Sequence, residues 1–86
     1  MNPTEATAAV AAALGSIAPE VDIATVDGDA PFREEMDLDS LDFLNLVELL
    51  HDSTGVEIRE DDYARVGSLT TLVDYLVSHS PVATGA

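Results

Sequence analysis

At 86 residues the chain has room for one small domain, which buries only about 60% of its unfolded surface. Seventeen Asp and Glu against three Arg and no Lys give a formal net charge of −14, which repels nucleic acid and anionic membranes and favours basic protein partners. The absence of Cys excludes disulfides and thiolate metal sites, and no apolar run reaches the roughly 20 residues of a membrane span.

Hydrophobic periodicity predicts helices separated by loops, with no clear strand. The first helix is expected over residues 4–17. It is rich in Ala, the best helix former, and Ala6, Val10, Ala13, Leu14 and Ile17 share one face. Thr4 is its expected N-cap and Pro19 its stop. Residues 19–38 form a long connection punctuated by Asp27, Gly28, Asp29 and Pro31. A loop of that length needs anchors, which Val21, Ile23, Val26, Phe32, Met36 and Leu38 supply. A short helical turn is expected over residues 31–36.

The second long helix is expected to start at Asp39 or Ser40 and to end near Ser53, before Gly55. Asp39 suits the N-cap, Asp42 suits the positive end of the helix, and Gly55 suits the stop. Phe43, Leu46, Val47 and Leu50 form the core stripe, and Leu41 and Leu44 lie on another face. Val56, Glu57 and Ile58 make an extended link, followed by a short third helix over residues 60–65. Ser68 caps the last helix, expected over residues 69–78, where Leu69, Leu72, Val73, Leu76 and Val77 share a face. The expected fold is all-α: a small four-helix bundle with a long loop between helices 1 and 2 and a short third helix. Residues 1–79 form a single domain and residues 80–86 a disordered C-terminal tail.

The informative segment is Leu38-Asp39-Ser40-Leu41-Asp42, where the long loop becomes an amphipathic helix. Ser40 falls at the first helical position, where its hydroxyl is open, with Asp39 and Asp42 on either side. Asp and Ser are also common at helix starts because they satisfy free backbone N–H groups. Both roles are compatible, with Asp39 capping the helix while Ser40 is modified. His51 and His79 are too remote in sequence to serve as a base for Ser40, so no catalytic residue is expected. Asp37, Asp39 and Glu48 have the spacing of calcium-loop ligands, but Leu41 stands at a ligand position and Asp42 where that loop needs Gly. No metal site is expected.

With the apolar spacing that follows, the 56–58 link and the helix running from Ser68-Leu69 to Asp74-Tyr75-Leu76, this segment resembles the acyl carrier protein family. That family includes the carrier domains of polyketide synthases, and the resemblance spans about residues 10–78. It implies that Ser40 receives 4′-phosphopantetheine from coenzyme A through a phosphopantetheinyl transferase, forming a phosphodiester. The thiol of the arm then carries acyl intermediates as thioesters to the biosynthetic enzymes of fatty-acid, polyketide or related lipid pathways, so the domain is a carrier and not an enzyme. With no Cys in the chain, that thiol is the only one present.

The resemblance also assigns the helix after Ser40 to partner recognition. Leu41 and Leu44 are the expected apolar contacts, and Asp39, Asp42, Glu48 and Asp52 the charge contacts, for acyl-processing enzymes with basic docking surfaces. Phe43, Leu46 and Leu50 are candidates to line an acyl cavity, or are plain core. Asn45, Glu48, His51 and Phe43 depart from the commonest fatty-acid carriers, which leaves room for a specialised pathway. The expected state is a cytoplasmic monomer that binds neither nucleic acid nor membrane. The alternatives are a peptidyl or aminoacyl carrier, which shares the arm chemistry, and an acidic helical interaction domain without a prosthetic group.

Overall fold

The structure, a computed structural model, describes residues 1–79, and the tail expected at 80–86 lies outside the described residues. Four α-helices follow in order: α1 (Pro3–Ile17), α2 (Phe32–Glu35), α3 (Ser40–Thr54) and α4 (Leu69–Ser78). Two 3₁₀ segments, Ile23–Thr25 and Glu60–Val66, complete the regular structure among the described residues. Among the described residues there is no strand, only one isolated bridge between Pro31 and Ser68. The all-helical expectation holds.

Local chemistry sets the helix ends. Asn2, not Thr4, caps α1: its side-chain oxygen accepts from the Glu5 N–H at 2.8 Å while the Glu5 carboxylate accepts from the Asn2 N–H at 3.0 Å. This reciprocal box satisfies two free donors, and Pro3 sits at the first helical position, where its missing N–H costs nothing. At α3, Asp39 is the cap and Gly55 the stop, with φ 78° at Gly55 in the left-handed region that glycine adopts freely. Ser68 and Thr71 form a second box at the start of α4. The expected third helix is a 3₁₀ segment, the tighter form common in short connectors.

Helix α1 packs on α3 and α4, and Glu60–Val66 packs on α4. The core between them holds Ala6, Val10 and Leu14 of α1, Leu46, Val47 and Leu50 of α3, and Leu72, Val73, Tyr75 and Leu76 of α4. Val56, Ile58 and Val66 plug it from the connections. Burying each large aliphatic side chain contributes about 1.5–3 kcal/mol, so this short list carries most of the stability.

The long connection is pinned at its second half. Phe32, Met36 and Leu38 are buried, whereas Val21, Ile23 and Val26 are half-buried. Two backbone bonds tie it to the start of α4: the Phe32 N–H donates to the Gly67 carbonyl at 2.8 Å, and the Thr70 N–H donates to the Gly28 carbonyl at 2.8 Å. The approach at Gly28 is close enough that a Cβ there would lie 2.8 Å from the Thr70 hydroxyl. Asp37, at φ 54°, then turns the chain from α2 into α3, a conformation that Asp tolerates better than most residues. These constraints hold α2 beside the first turn of α3.

Candidate functional site

The site is built on the loop-to-helix transition at Asp39. Its backbone is extended (φ −89°, ψ −177°) and its carboxylate accepts from the Asp42 N–H at 2.9 Å. The next residue, Ser40, is the first of α3 and is exposed. The only hydrogen-bond partner of its hydroxyl among the described residues is Arg33, whose Nη2 donates to the oxygen at 3.4 Å. Among the described residues no carboxylate or imidazole is hydrogen-bonded to the Ser40 hydroxyl. Among the described residues, no group of three or more side chains is arranged to hold a metal ion.

Ser40 opens on a groove of about 690 Å³ that runs between α2, the first turns of α3 and Glu60–Val66. Its apolar walls come from Phe32, Leu38, Phe43, Leu44, Tyr63 and Ala64. The aromatic rings form a chain. Phe43 meets Tyr63 edge-to-face at 5.3 Å, and Phe32 lies tilted against Phe43 at 6.5 Å. Such geometry favours ring contact beyond simple burial.

The other expected site residues divide by face. Leu41 and Leu44 are 66% and 45% exposed, the large hydrophobic side chains that stand out of the core on the outer face of α3. Asp39, Glu48 and Asp52 are exposed and Asp42 is half-buried. Asp42, Glu48 and Asp52 also line a shallow hollow with Asn45, between α3 and the end of α1. Of the three residues considered for an acyl cavity, only Phe43 lines the groove. Leu46 and Leu50 are fully buried in the core, further along the same stripe of α3 and away from the groove. Phe43 is half-buried, at the margin of the core stripe to which its spacing assigns it. Arg33 and Tyr63 are groove residues that periodicity does not single out, because each is brought to Ser40 or Phe43 by a turn elsewhere in the chain.

Tyr75 of α4 has a raised pKa. Burial comes first, followed by its hydrogen bond to the Asp62 carboxylate at 2.8 Å, and both raise its pKa above the ordinary value. This bond ties α4 to Glu60–Val66 and so supports the far wall of the groove.

A phosphate ester at Ser40 fits these surroundings. The first turn of α3 presents backbone N–H groups and the positive end of a 15-residue helix, and Arg33 adds a guanidinium. The apolar groove beside them suits an organic arm.

The phosphopantetheine attachment site family matches residues 7–76. The acyl carrier protein of Rubrobacter xylanophilus is 36% identical over 59 residues, covering 69% of this chain and 73% of that protein. The acyl carrier protein of Lactobacillus johnsonii is 36% identical over 59 residues, covering 69% of this chain and 74% of that protein. The cofactor is therefore 4′-phosphopantetheine, covalently attached, and its partners include the transferase that installs it and enzymes that process the acyl group. The chain belongs to the acyl carrier protein family.

Proposed function

We propose that the Ser40 hydroxyl is the attachment point of the arm and that residues 1–79 form one acyl-carrier domain without catalytic activity of its own. The observation that carries this reading is the position of Ser40. It is exposed, it is the first residue of α3, it follows a separate residue that caps the helix, and it faces an apolar groove. When bound, the arm supplies a thiol that holds acyl intermediates as thioesters. The chain's own residues do the rest. Asp39 keeps the helix start in register and leaves the hydroxyl free for transfer. Among the described residues no carboxylate or imidazole is bonded to the Ser40 hydroxyl, and in this reading the transferase provides the base.

The delivery targets are enzymes of fatty-acid, polyketide or related lipid pathways. Leu41 and Leu44 form the apolar centre of the docking face, and Asp39, Asp42, Glu48 and Asp52 form its acidic rim. A net charge of −14 favours partners with basic rims, speeds their encounter at low salt and opposes self-association, which supports a monomer. The cytoplasm, where coenzyme A is available, is the proposed location.

The test is intact mass after incubation with coenzyme A and a transferase proven on another carrier. A gain of one phosphopantetheine, mapped to the peptide containing Ser40 and absent from Ser40→Ala, is expected. No gain would leave an acidic interaction domain, and a gain mapped elsewhere would refute the attachment point.

A further inference from the structure

We infer that Arg33 is a positioning residue for the prosthetic arm: its guanidinium engages the phosphodiester at Ser40 and holds the start of the arm at the mouth of the groove. This inference rests on attachment at Ser40, as proposed above.

The argument begins with what Arg33 does not do. Glu34, Glu35, Asp37 and Asp39 all lie within a few residues of it in sequence, yet the one ion pair among the described residues joins Arg65 to Asp62 at 3.7 Å. Arg33 is directed instead at the Ser40 hydroxyl, 3.4 Å away. It is the only cation among the residues that line the groove, where Asp39 and Glu60 are the carboxylates.

The reach of Arg33 is not incidental, because its backbone is held on both sides. The side chain of Phe32 is buried against Phe43 of α3, and its N–H is bonded to Gly67. The Met36 N–H closes the turn on the Phe32 carbonyl at 2.9 Å. Arg33 thus projects from a short turn anchored to the helix that carries Ser40.

Esterification of Ser40 places a negative charge beside Asp37, Asp39 and Asp42 on a chain that is already strongly acidic. The phosphate would add acceptor oxygens next to the hydroxyl, beside a guanidinium that now makes one long bond of 3.4 Å to Ser40. The planar fork of Arg donates two parallel hydrogen bonds to a phosphate, a geometry that the point charge of Lys does not match. For an exposed charged contact the expected preference for the held arm is about two- to five-fold, and salt weakens it.

The experiment compares wild type, R33K and R33Q, each converted to the loaded form and checked by intact mass and peptide mapping. Arginine side-chain ¹⁵N NMR should show a shift of the Arg33 Nε resonance on loading of the wild type, reversed by added salt. Phosphorus NMR should show a more mobile phosphodiester in R33Q than in wild type, with R33K between them. An unchanged Arg33 resonance on loading, or equal phosphodiester mobility in wild type and R33Q, overturns the inference while leaving attachment intact. Mapping of the arm to a residue other than Ser40 removes the reading beneath it. Arg33 is exposed, so circular dichroism of the unloaded variants should match wild type and confirm that they fold.

Discussion

The helix cap and the proposed attachment point fall on adjacent residues, and mutation can separate them. In Asp39→Ala the Asp42 N–H loses the acceptor now at 2.9 Å. Loss of an N-cap of this kind costs about 0.5–2 kcal/mol. For a domain this small that corresponds to a fall in Tm of about 4–8 °C per kcal/mol. Asp39→Asn keeps the acceptor and loses only the charge at the positive end of α3, a cost of about 0.3–1 kcal/mol. Ser40→Ala removes an exposed hydroxyl whose only partner among the described residues is the 3.4 Å contact from Arg33, and it introduces the best helix former at the first position of α3. Its expected change lies within about 0.5 kcal/mol of zero. Thermal and urea unfolding followed by circular dichroism should therefore rank the losses Asp39→Ala, Asp39→Asn, Ser40→Ala, while Ser40→Ala alone abolishes the mass gain with coenzyme A. If Ser40→Ala unfolds as readily as Asp39→Ala, Ser40 is part of the cap and the division of labour is wrong.

Leu46→Ala, at a position with no exposure, should cost about 2–5 kcal/mol and sharply lower the urea midpoint. Leu41→Ala, at 66% exposure, should barely move that midpoint yet slow loading by the transferase, and equal stability losses for the two would contradict the assignment of faces. Asp42→Lys should slow loading and flatten its dependence on salt, and an unchanged rate profile would mean that the docking face lies elsewhere. Tyr75 gives a pH signature. Its folded pKa is raised above the ordinary value of about 10, so the folded state favours the neutral phenol. That contribution is complete below about pH 10 and is lost as pH climbs through the folded pKa, so wild-type stability should fall there and Tyr75→Phe should lack that part of the fall. Parallel alkaline limbs for the two proteins would show that the phenol is not responsible.

Much of this protein was legible in the chain because its signals are local. Asp39 and Gly55 bracket α3 and Ser68 opens α4 through contacts with residues three or four positions away, so reading neighbours suffices. The same holds for the exposed hydroxyl at Ser40 and for the split between Leu46 and Leu41, which follows from helical periodicity alone. Even local signals compete, however. Asn2 and Thr4 both qualify as caps for α1, and the partnership of Asn2 with Glu5 decides between them.

The tertiary structure decided what depends on distant segments meeting. The groove exists because Glu60–Val66 lies across the first turns of α3, which draws Phe43 toward Tyr63 and leaves Leu46 and Leu50 sealed in the core. The contact between Arg33 and Ser40 depends on backbone bonds from Gly28 and Phe32 to the start of α4, which no periodicity encodes. Helix starts and stops are settled by a few neighbouring residues. The surroundings of the hydroxyl are settled only when the whole chain closes its core and brings together segments that the sequence keeps apart.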